Sequence, residues 1–362
     1  MTTLETFATF FANFRSQFSE SAIVDFSEMY TRAEYLSMSS PPGGTLGQDL
    51  IKGFVDNTQG VAEGVVDGIY GFAGDDIIYG MGGRDKLYGD TMDQRINPQF
   101  FSGGGRDVGD DVIFGDDGDL DGNLMDSTSI RENFVFDEDD DDLFGGFGDD
   151  WLFGEAGSDR LFGGPEKGDF ARARNLNGGI TDKDHLFGGV GDDFLIGGYD
   201  DDYLEGGAGD DELTGSSRRG GQHAYDGIDE MWGDTEGGNG SQGADRFKLG
   251  RRGERYYDDG VDVSTGRYQF ALVRDFNQNV DTLQLAELSR TYPRLVNERY
   301  VAIRQQLGDL IPASYYGNLS GTAIYYTNGL SGPYSPELIG FIADNQHTPA
   351  QFDLDASYVD YS

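Results

Sequence analysis

The sequence predicts an all-β fold: a parallel β-roll with a short N-terminal helical cap and a small C-terminal β domain. Three observations predict it. A nine-residue pattern of glycine, aspartate and an apolar residue recurs through the middle of the chain, a stripe of phenylalanines precedes it, and segments of alternating apolar residues follow it. We therefore divide the chain into an N-terminal segment (1–59), a roll (60–250) and a C-terminal region (251–362).

The composition restricts the partners that the chain can have. It contains 66 Asp and Glu residues against 26 Lys and Arg, which gives a formal net charge of −40 over 362 residues. Such a chain repels the phosphates of nucleic acid, and it resists compaction unless a cation neutralises its carboxylates. No apolar run reaches the ~18 residues of a membrane span, so we expect no transmembrane segment. The absence of cysteine excludes disulfides and cysteine catalysis.

The N-terminal segment has apolar residues at alternating spacings of three and four, which are Leu4, Phe7, Phe11, Phe14 and Phe18. This spacing places them on one face of a helix. An uncovered roll exposes its core, so we expect the helix to cap the end or the flank of the roll. The alternatives are a membrane-inserting helix, or a helix that binds a partner or a neighbouring roll.

The nine-residue pattern is clearest in residues 71–88, 145–162 and 188–214. Position four is usually Gly, position six is Asp, and position eight is a large apolar residue. Glycine permits the tight turn, aspartate offers a hard anionic oxygen to a hard cation, and the apolar residue lies in a short strand that faces a narrow core. A solvated Gly/Asp-rich linker would not keep an apolar residue at every ninth position, as Leu186, Leu195 and Leu204 do.

Two nonapeptides form one coil, so equivalent residues 18 apart are expected to stack on the same side of the roll. The pattern is interrupted at residues 90–106, 116–136, 165–178 and 216–223, and it resumes after each interruption. We interpret the interruptions as loops that leave a single roll.

This pattern resembles the RTX (repeat-in-toxin), or hemolysin-type, calcium-binding nonapeptide repeat. The resemblance implies several Ca²⁺ ions, each held between successive turns by position-six carboxylates and turn carbonyls. The position-six ligands that it implies are Asp67, Asp76, Asp85, Asp111, Asp141, Asp150, Asp159, Asp184, Asp193, Asp202, Asp211, Asp229 and Asp245. The accompanying position-four residues are Gly74, Gly83, Gly109, Asp139, Gly148, Gly157, Asp182, Gly191, Asp200, Gly209, Gly227 and Gly243, among which three aspartates depart from the glycine of the pattern.

The C-terminal region contains segments that we interpret as strands, at residues 268–276, 281–285, 321–326 and 337–342. The first two resemble the β-cap that follows RTX repeats. The resemblance also implies an uncleaved signal for type I secretion, and hence an extracellular protein, free or associated with the cell surface.

We find no catalytic constellation in the sequence. There is no H-E-x-x-H motif of a zinc protease and no G-x-S-x-G motif of a lipase, and the three histidines, His185, His223 and His347, are far apart in the chain. We therefore expect no enzymatic activity, no catalytic residues and no cofactor other than Ca²⁺. The function predicted is that of a secreted calcium-binding structural protein of a cell surface, extracellular matrix, sheath or filament, with itself or a cell-surface polysaccharide as partner. The alternative is a protein that binds or modifies polysaccharide.

Overall fold

The computed structural model describes part of the chain. The described residues are 10–11, 13–14, 16–17, 23–25, 50–52, 68–72, 76–80, 85–90, 110–115, 140–164, 182–216, 227–236, 243–251, 254–257, 269–287, 299–312, 316, 319–327, 337–348 and 351–361. They fall into two compact units, Met1–Leu195 and Ile196–Ser362. The division into segments that we made from the sequence follows composition rather than compactness, and it stays a prediction.

The first unit consists of short strands that pair in parallel. Its strands are β1 (Ile23–Asp25), β2 (Leu50–Lys52), β3 (Gly68–Phe72), β4 (Ile77–Tyr79), β5 (Lys86–Asp90), β6 (Val112–Phe114), β7 (Asp142–Phe144), β8 (Trp151–Ala156), β9 (Arg160–Phe162) and β10 (His185–Val190). One sheet has the order β1-β2-β4-β6-β8-β10 and the other β3-β5-β7-β9, so successive repeats alternate between two sheets. Strand β11 (Phe194–Gly198) contains the boundary between the units.

The second unit continues with β12 (Tyr203–Ala208), β13 (Glu212–Ser216), β14 (Ile228–Trp232), β15 (Arg246–Lys248), β16 (Gly250–Arg251), β17 (Glu254–Arg255), β18 (Phe270–Val273), β19 (Thr282–Leu285), β20 (Arg299–Gln306), β21 (Ser320–Thr327), β22 (Glu337–Ala343) and β23 (Val359–Tyr361). Strands β12-β14-β18-β22 and β13-β15-β19-β23 are parallel, whereas β20 and β21 extend the first set in antiparallel fashion. A 3₁₀ helix covers Leu307–Asp309. The predicted all-β, parallel β-roll is confirmed.

The core of each unit is formed by the apolar residues at position eight. Ile78, Ile113 and Leu152 are fully buried and lie side by side in β4, β6 and β8. Side chains alternate between the two faces of a strand, so position eight points inward when positions seven and nine point outward. These three positions are 35 and 39 residues apart in the sequence and still share one register. The interpretation of the interruptions as loops stays a prediction, since nearly all of their residues lie outside the described residues.

The predicted N-terminal helical cap is not supported. Most of residues 1–59 lie outside the described residues, and helical backbone is described only at Phe10, Phe11, Asn13 and Phe14. Two of these aromatic rings contact outward-facing residues of the first sheet, since Phe10 stacks on Trp151 (centroids 5.6 Å apart) and Phe11 meets Phe114 edge-on at 5.6 Å. The described contacts are thus with the flank of the first unit.

The antiparallel strands cover an apolar face of the second unit. Phe270 and Leu272 of β18 pack with Leu307, Ala323 and Phe341 in a buried cluster. Three of the four alternating apolar segments near the C-terminus, at residues 268–276, 321–326 and 337–342, contribute to this cluster, which explains why they form strands. Within the described part of the chain, no helix has the length and hydropathy that crossing a membrane requires.

Candidate metal centre

The turns between the strands have backbone conformations that favour glycine. Positive φ angles recur at positions two and four of the repeats, for example 124° at Gly146 and 127° at Gly148. At Gly191, with φ of 135°, a Cβ atom would lie 1.6 Å from the carbonyl oxygen of Gly157 in the neighbouring turn. Glycine allows the turns to stack this closely, and the spacing brings the side chains of successive turns together.

The position-six aspartates form ladders along the edges of the sheets. In each ladder the backbone N–H of one aspartate donates a hydrogen bond to Oδ1 of the next, with N···O distances between 2.7 and 3.1 Å. The first unit has the Asp76 ladder (Asp76, Asp111, Asp150, Asp184) and the Asp85 ladder (Asp85, Asp141, Asp159, Asp193). The second unit has the Asp202 ladder (Asp202, Asp229) and the Asp211 ladder (Asp211, Asp245, Asp281).

The ladder carboxylates are buried, each at most 5% exposed. In Asp150 and Asp159 the second carboxylate oxygen, Oδ2, accepts no hydrogen bond from any described residue. A buried anionic oxygen is costly unless a proton donor or a cation compensates it. The orphaned oxygens therefore indicate places where a cation fits.

Backbone carbonyls converge on the same places. A Cβ atom on Gly145, at position one, would lie 2.3 Å from Asp150 Oδ2 and 2.7 Å from the carbonyl oxygen of Gly163 in the next turn. Among the described residues no three Asp, Glu, Cys or His side chains form a metal-binding group, so a cation here would also need backbone carbonyls. Carboxylate and carbonyl oxygens are the hard acceptors that Ca²⁺ binds, and the ion tolerates such irregular sets.

The electrostatics of the ladders point the same way. Burial raises the pKa of Asp159 to about 7 and that of Asp245 to about 9. The pKa of Asp150 is raised well above its usual range by burial and then by repulsion from Asp111, and the pKa of Asp184 is raised by burial and then by repulsion from Asp150. Burial thus disfavours the anionic form of these carboxyls, and a bound dication favours it.

A buried carboxylate outside the ladders provides a contrast. Asp142, at position seven, is also buried, but it is flanked by Lys86, whose Nζ lies 2.9 Å from Oδ2, and by Arg160, which contacts both carboxylate oxygens. Basic side chains thus neutralise Asp142, whereas the ladder carboxylates Asp150 and Asp184 face other carboxylates.

Comparison with known proteins identifies these repeats. The family model of the RTX calcium-binding nonapeptide repeat matches the chain in four copies, over residues 69–91, 137–165 and 178–215. The chain carries RTX calcium-binding repeats. RTX repeats bind Ca²⁺ at multiple sites and are typical of secreted proteins. None of the curated proteins compared with this chain is similar to it.

The structure describes most of the ligand positions predicted for the RTX repeats. Asp67, Gly74, Gly83, Gly109 and Asp139 lie outside the described residues. Every other predicted position-six aspartate belongs to one of the four ladders. The described position-four glycines, which are Gly148, Gly157, Gly191, Gly209, Gly227 and Gly243, lie in the turns that precede the ladder aspartates.

Two aspartates that replace glycine at position four behave differently. Asp200 adopts the glycine-like conformation, with φ of 65°, and its carbonyl accepts a hydrogen bond from Gly227 at 2.8 Å. Asp182 instead uses its side chain, since Oδ1 accepts a hydrogen bond from the backbone N–H of Gly148 at 3.1 Å. Both residues therefore join adjacent turns.

Sequence reasoning missed two buried aspartates beyond the matched repeats. Asp281 extends the Asp211 ladder by accepting the N–H of Asp245, and Asp275 accepts the N–H groups of Gly233 and Asp234, both at 2.9 Å. A signal for Asp281 was present, because Leu283 follows it at the same distance that separates positions six and eight. Asp275 has no such signal.

Proposed function

We propose that this protein is a secreted structural component of a cell surface, extracellular matrix, sheath or filament, without catalytic activity, and that it folds as it binds Ca²⁺. The observation that carries the proposal is the set of buried carboxylate ladders in both units. In these ladders the acidic side chains join one turn to the next. The carboxylates of the repeats therefore serve to join the turns of a scaffold.

Calcium is expected to supply the free energy that the acidic chain lacks. Two carboxylates about 4 Å apart repel each other by roughly 4 kcal/mol at an effective dielectric constant of 20. Each Ca²⁺ offsets two of the chain's 40 excess negative charges. Because the ladders form only when the turns stack, binding and folding share one free energy. Extracellular calcium would fold the chain, and the low calcium level of the cytosol would leave it unfolded for export.

Calcium-dependent folding can be tested with two matched variants. Asp150→Asn/Asp184→Asn removes two charges from a ladder, and Asp353→Asn/Asp355→Asn removes two charges from exposed positions. We expect the ladder variant to need a higher calcium concentration for half-maximal strand signal in circular dichroism, and the exposed variant to match the wild type. Equal calcium midpoints for all three proteins would contradict a ladder that folds on calcium.

The structural role has a separate test. Electron microscopy of the native material should show arrayed molecules, and light scattering of the purified protein should rise with Ca²⁺ and fall with chelator. A strictly monomeric sedimentation profile at millimolar Ca²⁺ would contradict self-assembly. Binding or turnover of one member of a panel of acidic and neutral polysaccharides by that monomer would instead favour the carbohydrate-active alternative.

A further inference from the structure

The Asp202 ladder ends within the second unit. Strands β14 and β18 pair so that Asp229 is opposite Ala271. The residue in the next turn that would continue the ladder is therefore an alanine, which has no side-chain oxygen. The Asp211 ladder differs, because Asp281 continues it beyond Asp245.

A tyrosine contacts the last carboxylate of the Asp202 ladder. The hydroxyl of Tyr257 donates a short hydrogen bond to Oδ2 of Asp229. Tyr257 is 1% exposed and follows β17 in a segment anchored by the N–H of Tyr256, which donates to the carbonyl of Leu249 at 3.1 Å. Its φ of 59° is costly for a residue with a side chain, so the surrounding packing must hold it in place.

The Tyr257 hydroxyl lies beside the turn glycine that faces Asp229. A Cβ atom on Gly197 would lie 2.3 Å from Asp202 Oδ2 and 2.7 Å from the carbonyl oxygen of Gly215 in the next turn. At Gly215 itself the two nearest atoms are Asp229 Oδ2 at 2.1 Å and the Tyr257 hydroxyl at 2.2 Å. At Gly215 a phenol therefore lies directly beside the Oδ2 oxygen of the ladder carboxylate.

The phenol changes the chemistry around Asp229. A carbonyl and a carboxylate are both acceptors, so a turn that brings them together requires a cation. A phenol can donate, and it satisfies the carboxylate without one. We propose that Tyr257 closes the Asp202 ladder, and that Asp229 is a structural carboxylate held by this hydroxyl rather than a calcium ligand. The RTX pattern alone assigns Asp229 to the metal.

The first test counts bound calcium by equilibrium dialysis of the full-length chain at saturating Ca²⁺. Asp229→Asn should retain the wild-type number of ions. Asp150→Asn is the matched control, because the same substitution there removes an orphaned ladder oxygen, and it should lower the number by at least one. Equal calcium counts for the two variants would overturn the proposal.

The second test removes the hydroxyl. Tyr257→Phe should raise the unfolding equilibrium constant about ten-fold at saturating Ca²⁺, the effect of losing a hydrogen bond to a charged group. Tyr300→Phe is the control, since that buried hydroxyl donates to the backbone carbonyl of Ala286 at 3.2 Å, and its effect should be smaller. In the Asp229→Asn background Tyr257→Phe should have little further effect. The same effect in both backgrounds overturns the proposal.

Failure of a single variant to fold is also informative. If Tyr257→Phe does not fold, the double variant Tyr257→Phe/Asp229→Asn decides, because it removes the uncompensated charge together with its donor. Recovery of the folded state supports the assignment. A double variant that also remains unfolded rules out a carboxylate held by Tyr257. If Asp229→Asn does not fold, a calcium count for Tyr257→Phe below that of the wild type overturns the proposal, and an equal or higher count supports it.

Discussion

Two residues of the repeats, Glu155 and Asp200, have the left-handed backbone conformation that glycine usually adopts at these turn positions. Glu155, at position two, has φ of 75°, and Asp200, at position four, has φ of 65°. Left-handed backbone costs an L-residue about 1–2 kcal/mol, less for aspartate than for glutamate. The adjacent turn packs closely on Glu155, since a Cβ atom on Gly189 would lie 2.2 Å from the Glu155 carbonyl oxygen.

Replacing Glu155 with glycine should therefore stabilise the first unit. We expect Glu155→Gly to raise the free energy of unfolding by about 1 kcal/mol, because it removes the left-handed strain. Urea denaturation at saturating Ca²⁺ measures this change. Asp192→Gly is the control at an exposed turn position without positive φ, and it should lower the stability, since glycine there increases the entropy of the unfolded chain and relieves no left-handed strain. A lower free energy of unfolding in Glu155→Gly would contradict the interpretation that the backbone of Glu155 is strained.

At the scale of elements, the outward residues at position nine form rows of stacked aromatic rings. The row on one sheet of the first unit is Tyr79, Phe114, Phe153 and Phe187, and the row on the other is Tyr70, Tyr88, Phe144 and Phe162. Neighbouring centroids are 4.8–5.1 Å apart in these rows, which is close to the spacing of adjacent strands. The same register that builds the carboxylate ladders therefore stacks the rings.

The N-terminal phenylalanines should stabilise the first unit by packing on outward-facing aromatic residues of its strands, such as Trp151 and Phe114. Phe14 is 5% exposed and stacks on Phe10, which in turn stacks on Trp151. We expect Phe14→Ala to lower the free energy of unfolding by about 3 kcal/mol, the usual cost of truncating a buried aromatic ring. Phe14→Leu should cost less because it keeps most of the apolar volume. Urea denaturation compares the two, and an unchanged stability in Phe14→Ala would show that the contact is not energetically significant.

Neighbours in a ladder should act together on calcium. Asp141 and Asp159 are 18 residues apart and adjacent in the Asp85 ladder, with the N–H of the first 2.7 Å from Oδ1 of the second. The affinity losses of Asp141→Asn and Asp159→Asn should be non-additive in calorimetric titrations, because both substitutions affect the same interface between turns. Asp141→Asn combined with Asp111→Asn, from the Asp76 ladder, is the control pair and should be closer to additive. Equal coupling in both pairs would contradict separate ladders.

At the scale of the whole molecule, the net charge of −40 makes folding depend on the kind of cation present. Salt screens exposed charges over a Debye length of about 3 Å at 1 M. It does not provide ligands for buried carboxylates such as Asp150 and Asp159, which are at most 1% exposed. Screening of exposed charges by salt can therefore be distinguished experimentally from specific binding of Ca²⁺ by the buried carboxylates.

We expect millimolar Ca²⁺ to restore the strand signal after chelation, and neither equimolar Mg²⁺ nor 1 M NaCl to restore it. Mg²⁺ requires near-octahedral geometry and releases its waters reluctantly, so it fits irregular sets of carbonyl and carboxylate oxygens poorly. Circular dichroism with each addition checks this. Recovery in NaCl alone would show that charge screening is sufficient and that the ladders need no specific ion.

Much of the site could be predicted because the repeat is local. Within nine residues, glycine determines where the chain turns, Asp at position six offers the ligand, and the residue at position eight faces the core. These relations hold for Asp141 and Leu143 regardless of the rest of the chain. The all-β class and the positions of the described ladder aspartates as far as Asp245 followed from this pattern alone.

Which turns become neighbours was decided by the tertiary structure. Sequence segments of different lengths separate adjacent aspartates of a ladder, so Asp85 and Asp141 are 56 residues apart, whereas Asp141 and Asp159 are 18 apart. The N-terminal phenylalanine spacing predicted a continuous helical cap, but periodicity carries no information about which surface will receive the segment. The contact of Tyr257 with Asp229 spans 28 residues and lies outside the frame of the repeat. A local pattern encodes the ligand in each turn, and only the folded chain brings together the groups that satisfy it.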